Sequence, residues 1–378
     1  MILRESTQYL IELSRQFKAV AVIGPRQSGK TTLVRSTFLT KPYANLENPE
    51  TRRFAIEDPK GFLASYPDGA VLDEIQRVPE LFSWLQVVLD EHPNPGMFIL
   101  TGSNNFLLEE KISQSLAGRV GYLHLLPLSI REIGELEINM NALLYKGGYP
   151  GVFDMPGGAK HFYPNYIRTY VERDVRQLKN ISDLYTFERF VRLCAGRVGQ
   201  LLNLSNLAVE CGIDGKTAAS WLGVLEASFV VFRLYPWHEN FNKRIVKMPK
   251  LYFYDTGLVS SLLGIEYASQ WEYHPLRGAI FENLVILEHQ KRMFNSGQRG
   301  KLYFWRDSNG NEVDLIIDSG GIKKAVEIKS GQTIHPDFFK GIGYWNKISG
   351  STGGSIIYGG MDKQVRSDGI EVNTIYSI

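Results

Sequence analysis

One unbroken run, Gly24-Pro25-Arg26-Gln27-Ser28-Gly29-Lys30-Thr31, constrains this chain more than any other stretch. Before it stands Lys18-Ala19-Val20-Ala21-Val22-Ile23, which reads as a buried strand; after it, Thr32-Leu33-Val34-Arg35 opens a helix. Strand, glycine loop and helix in that order make a phosphate-binding turn. The glycines let backbone N–H groups curl round an anion, and the helix start adds a favourable dipole. The spacing predicts that residues Gly24 to Thr32 cradle the phosphates of a nucleotide. Lys30 is expected to reach the β- and γ-phosphates and Thr31 to hold Mg²⁺ through its hydroxyl.

The surrounding third of the chain alternates apolar runs with helical stretches, which predicts an α/β fold built on a parallel sheet. Gly69-Ala70-Val71-Leu72-Asp73 and Met97-Phe98-Ile99-Leu100-Thr101 read as further strands, and Tyr122-Leu123-His124-Leu125-Leu126 as the last, halted by Pro127. Acids at a strand end beside a phosphate loop suit hydrolysis. Asp73 is expected to bind a Mg²⁺-bound water and Glu74 to polarise the attacking one. The next strand runs out in Thr101-Gly102-Ser103-Asn104, where Asn104 or Ser103 is placed to stand between Glu74 and the γ-phosphate.

At 378 residues the chain exceeds one ordinary core; roughly 150 residues per domain implies two or three domains. No run of eighteen apolar residues suggests a membrane span, and Met1-Ile2-Leu3-Arg4-Glu5-Ser6 has no secretory pattern. Cys194 and Cys211 are too few for a disulfide framework or zinc cluster, so a cytoplasmic protein is expected. The net charge of +2 conceals an excess of Lys and Arg over residues 160–250, which suits a phosphate backbone or merely a solvated face.

Residues 128–182 read as helical, with breaks at Gly147-Gly148-Tyr149-Pro150-Gly151 and Pro156-Gly157-Gly158. Leu204 to Asp214 reads as a short helix, a glycine turn and the cap of a second helix over Thr217–Leu225, which is helix-turn-helix spacing. Strands at 229–235 and 250–254, joined through Lys243-Arg244-Ile245-Val246-Lys247, would complete a winged helix, with 244–259 strand-like. Its second helix offers only Lys216, Thr217 and Ser220 for reading bases, so contact with proteins is the competing use.

The tail, from Gly300 on, is strand-rich. Glu312-Val313-Asp314-Leu315-Ile316-Ile317-Asp318 precedes Ser319-Gly320-Gly321 and a second strand from Ile322 to Lys329. If Gly320-Gly321 is a two-residue hairpin loop, Ser319 pairs with Ile322 and Asp314 falls opposite Glu327. Lys329 then shares their face. Two carboxylates and a lysine so placed suit a phosphodiester-cleaving site, with Asp314 and Glu327 on Mg²⁺ and Lys329 orienting water.

The loop, the Leu-Asp-Glu strand, the Thr-Gly-Ser-Asn strand end and Ala117-Gly118-Arg119 before Leu126-Pro127-Leu128-Ser129 resemble an AAA-type ATPase. More narrowly, the chain resembles bacterial and archaeal AAA-family ATPases that carry a C-terminal nuclease-like domain. That resemblance implies ATP with Mg²⁺, a homo-oligomer, and an arginine completing a neighbour's site. Arg119 is the first candidate for it, and Arg173 and Arg176 are alternatives. It also implies an ATPase core at 1–127, a helical lid at 128–182, a winged-helix-like domain at 183–270 and a restriction-endonuclease-like domain at 271–378. The tail is similar to that last core, D…(D/E)-x-K, whose extra acid Glu282 would match. Nucleic acid, DNA before RNA, is the partner implied.

Overall fold

Five short apolar strands stand side by side near the N-terminus of the computed structural model, which describes all residues except 1, 103–104, 135–138, 172–182, 239–246 and 299. They are β1 (Ala19–Ile23), β2 (Tyr43–Asn45), β3 (Ala70–Asp73), β4 (Phe98–Thr101) and β5 (Val120–His124). All pair in parallel in the order β2-β3-β4-β1-β5. Such a sheet needs cover on both faces, which is why its strands are apolar at nearly every position. Ala19, Ala21 and Ile23 face one core with Phe82, Leu85 and Phe98, while Val20 and Val22 face another with Leu10, Leu33 and Ile99. The chain divides into two compact units, and the first is residues 1–128 with 294–297.

The sequence reading missed β2. Three residues between Pro42 and Leu46 are too few for a periodicity, and pairing with β3 makes them a strand.

The second unit begins with the one-turn helix Ile130–Ile133, followed by the helices Met140–Lys146, Pro150–Asp154 and Gly158–Tyr166. The last three are interrupted at Gly147 and Gly157, both with positive φ. Three more follow, Leu184–Ala195, Leu204–Cys211 and Gly215–Ala227, the last capped by Asp214. Then come antiparallel β6 (Val231–Leu234) and β7 (Lys250–Phe253). Of the strand-like reading of 244–259 only Lys250–Phe253 is strand; residues 247–249 and those after Phe253 are not, and 244–246 lie outside the described residues. Buried Asp255 caps a helix, Thr256–Leu262, accepting from the N–H of Leu258 at 2.8 Å. Lys243 and Arg244 lie outside the described residues.

After a twenty-residue helix, Arg277–Ser296, the tail forms a mixed sheet. Its strands are β8 (Lys301–Arg306), β9 (Glu312–Ser319), β10 (Ile322–Lys329), β11 (Gly354–Tyr358), β12 (Gln364–Val365) and β13 (Ile370–Thr374), ordered β12-β13-β11-β10-β9-β8. The helix Lys340–Ser349 places Ile342 and Trp345 in a core with Trp305, Val313 and Ile356. The β9–β10 turn is the two-glycine loop expected. Gly320 and Gly321 have φ of 65° and 94°, and Ile322 pairs with Ser319.

Candidate functional site: a phosphate loop and a buried charge cluster

The phosphate loop leaves the C-terminal end of β1, the edge where open parallel sheets bind ligands. Gly24 passes so close to the chain after β5 that a Cβ there would stand 2.1 Å from the carbonyl oxygen of Leu125. Gly29 turns left-handed, at φ 93°, and hands over to the helix Lys30–Thr37 without a side-chain cap. The first N–H groups of that helix, from Lys30, Thr31 and Thr32, are thus of the kind that bind phosphate. Pro25, Arg26, Gln27 and Ser28 make the curl, with the Ser28 N–H donating to the Pro25 carbonyl at 3.3 Å. The Lys30 ammonium is buried at the loop, 2.8 Å from the Gly24 oxygen and 2.7 Å from that of Pro25.

Asp73, at the end of β3, gathers hydroxyls. Thr31 Oγ1 donates to its two oxygens at 3.2 and 3.1 Å, Tyr43 donates at 2.5 Å, and Thr101, at the end of β4, donates as well. Burial and the bond to Asp73 keep the Tyr43 phenol protonated, above its usual range. A carboxylate beside the threonine that follows the loop lysine is a donor set suited to Mg²⁺ and its waters. Glu74 departs from the strand in a left-handed conformation, φ 57° and ψ 41°, which costs a non-glycine residue roughly 1 kcal/mol or more. Its Oε2 accepts from Gln76 Nε2 at 2.6 Å.

Three residues here were not read from the sequence. Tyr43 rides on the unrecognised β2. Gln76 orients Glu74, and its Oε1 stands where a Cβ on Gly102 would come within 2.4 Å. Arg4 donates from one guanidinium nitrogen to the Ser28 carbonyl and from the other to that of Leu126, each at 2.7 Å. No local motif announces an arginine whose partners lie 24 and 122 residues away.

Arg119 precedes β5, at the opposite end of the strands from the loop, and makes a two-pronged ion pair with Asp90 at 2.6 and 2.8 Å. It cannot reach the phosphate site of its own chain. Asn104, Ser103, Arg173 and Arg176 lie outside the described residues.

In the second unit the β9–β10 ladder is paired as far as Val326–Leu315, and just beyond it Glu327 and Asp314 both meet the Lys329 ammonium. There β9 bulges. Its pairing with β8 slips by one residue between Tyr303–Ile316 and Trp305–Val313, which re-aims the local side chains. Asp314 Oδ2 accepts from the Ile328 N–H at 2.8 Å and faces the Lys329 ammonium at 3.2 Å. Glu327 Oε1 accepts from that ammonium at 2.6 Å. Both acids are buried, 8% and 7% exposed, and Glu327 Oε2 finds no hydrogen-bond donor among the described residues. Burial, then the Asp314 charge, push the Glu327 carboxyl up to about 8. Burial alone would lower the Lys329 ammonium, but Asp314 and Glu327 together hold it above the usual lysine range.

Glu282, on the helix Arg277–Ser296, adjoins the cluster but is engaged elsewhere. It accepts from Lys250 Nζ at 2.8 Å and from the Tyr252 hydroxyl. The same ammonium stands 2.5 Å from Glu312. Among the described residues, no group of three or more His, Cys, Asp or Glu is arranged to hold a metal ion.

A parallel five-stranded sheet with a glycine loop after β1 and an acid pair after β3 defines the AAA-type P-loop ATPase class. Residues 16–134 match the AAA domain family accordingly. Residues 138–269 and 277–378 match two families described as domains of unknown function, DUF8612 and DUF4143. The uncharacterized protein Rv2008c of Mycobacterium tuberculosis is 33% identical over 335 residues, covering 87% of this chain and 74% of its own length. An uncharacterized protein of Haemophilus influenzae is 24% identical, covering 68% and 63%. The chain belongs to the family of the mycobacterial protein. Among solved structures, the Walker-type ATPase PABY2304 of Pyrococcus abyssi is similar at 16% identity, with a TM-score of 0.46 over 68% of this chain and 94% of that one. No helix among the described residues is long and apolar enough to cross a membrane.

Proposed function

We propose that this chain is an ATP-hydrolysing AAA-type enzyme that works as a homo-oligomer on nucleic acid, DNA before RNA. The observation that carries the ATPase reading is the convergence of Lys30, Thr31 and Asp73 on one loop. ATP with Mg²⁺ supplies a phosphoanhydride whose leaving charge is neutralised. Loop N–H groups from Gly24 to Thr32 bind the phosphates, and Lys30 turns from the loop carbonyls toward them. Thr31 and Asp73 hold the ion and its waters. Glu74, oriented by Gln76, takes a proton from water, and Asn104 is our candidate to stand between Glu74 and the γ-phosphate. Arg119 is our candidate for a residue acting on a neighbouring subunit's site, which requires it to leave Asp90.

For the second unit we read three helices and the β6–β7 pair, over 183–270, as a winged-helix-like domain, residues 128–182 as a helical lid, and 271–378 as a restriction-endonuclease-like domain. Asp314, Glu327 and Lys329 would form its phosphodiester site. The residues fit one divalent ion: Lys329 is a third exposed and free to swing outward, and Glu327 Oε2 keeps an open acceptor. The alternative is a nucleotide-switched protein-binding module with a vestigial nuclease fold, favoured by the lysines that stand among the acids. Incubating DNA with the purified chain, Mg²⁺ or Mn²⁺, and the Asp314→Ala variant separates the two. Metal-dependent cutting that the variant loses supports the first reading; no cutting by the parent supports the second.

A further inference from the structure

The charge cluster of the second unit holds two lysines of unlike character. Lys329 has a side chain 32% exposed, at the rim. Lys250 is only 4% exposed, enters from β7, and lies outside the hairpin that carries the tail acids. Its Nζ is 2.8 Å from Glu282 Oε1, 2.5 Å from Glu312 Oε1 and 5.4 Å from the Phe304 ring centroid. Tyr252, two residues on and on the same face of the strand, donates to the same oxygen of Glu282. Moving a buried lysine held in this way would leave both carboxylates without their counter-charge, so it is costly to displace.

Carboxylates drawn from two elements onto one central cation are the arrangement a divalent ion makes, with the ammonium substituting for the metal. The remaining acceptor is at the other end. Glu327 is 7% exposed, and its Oε2 finds no donor among the described residues. That oxygen faces Gly341, where a Cβ would come within 2.6 Å.

On the reading of the tail as a phosphodiester site, we propose that Lys250 is a built-in cation standing in for a second metal ion between Glu282 and Glu312. Divalent metal is thereby confined to a single position at Asp314 and Glu327. Glu282 is then a counter-ion to Lys250, not a metal ligand.

Calorimetric titration of the full chain with Mn²⁺ tests this, in an Asp73→Asn background so that the nucleotide site contributes no ion. The background chain should take one ion, which Asp314→Asn removes and Glu282→Gln leaves within about twofold. Lys250→Met should lower Tm by roughly 10 °C, because two half-buried acids lose the cation between them. Millimolar Mn²⁺ should restore that loss as a second ion enters, and adding Glu282→Gln should abolish the second ion. A tenfold weakening by Glu282→Gln alone would overturn the role given to Lys250. So would a Lys250→Met chain that gains no ion or stays unfolded in Mn²⁺. Absence of any ion in the background chain would instead sink the phosphodiester reading, while the gain in Lys250→Met still judges the built-in cation.

Discussion

Thr31 Oγ1 stands 3.1 Å from Oδ2 of Asp73, although 42 residues separate them along the chain. Adjacent parallel strands bring the two together. Asp73 ends β3, Thr101 ends β4, and β1 delivers the loop beside them. The groups proposed to bind metal and phosphate therefore meet at one end of the sheet, each set by a short apolar strand.

Arg4 ties two parts of that end together. Replacing it with Gln removes both charge-assisted bonds to the Ser28 and Leu126 carbonyls. The loop should lose preorganisation, raising KM for ATP by about tenfold with kcat within about threefold, since no chemical group leaves the site. Steady-state kinetics check this. A fall in kcat at unchanged KM would place Arg4 in the chemistry instead.

If Arg119 serves a neighbouring subunit, the Arg119→Ala and Lys30→Ala chains are each inactive alone but complementary. Mixed in equal amounts under conditions of subunit exchange, they should recover about a quarter of parent turnover, because about a quarter of the interfaces then hold both an intact loop and an intact arginine. Exchange without any recovery would leave Arg119 as the partner of Asp90 only.

Acid should loosen the ATPase unit through His124, on β5 and stacked on Phe294 at 4.8 Å. Burial pushes its imidazole down to about 4. A folded pKa below the unfolded value near 6.5 gives stability that is complete above 6.5 and lost as pH falls toward 4. One such group contributes a slope of at most about 1.4 kcal/mol per pH unit in that window. His124→Phe should flatten the slope of denaturant-derived stability there. An unchanged slope would assign the acid sensitivity to other groups.

What could be read beforehand followed chain distance. The phosphate loop, Asp73–Glu74 and the Gly320–Gly321 hairpin are local patterns, and the hairpin count put Asp314 beside Glu327 before any fold was known. Glu74's left-handed backbone, Tyr43 on a three-residue strand and the bulge at Asp314 leave no periodic trace. Lys250 was the largest omission. In the sequence it is one basic residue in a basic stretch; only the packing of β7 against the helix Arg277–Ser296 turns it into a buried partner of Glu282. Glu282 is expected from the resemblance to be the extra acid of the tail site, and nothing local reveals that its charge meets Lys250 instead.

Phosphate release from ATP by the purified chain, measured beside Glu74→Gln and Lys30→Ala, tests the ATPase reading most directly. The parent should hydrolyse ATP in a Mg²⁺-dependent manner. Glu74→Gln should still bind ATP in a filter or fluorescence assay while turnover falls about a hundredfold or more, because only water activation is lost. Lys30→Ala should lose binding as well, since the ammonium facing the phosphates is gone. Turnover by Glu74→Gln or Lys30→Ala within a few-fold of the parent would contradict the roles assigned to the loop and the acid pair.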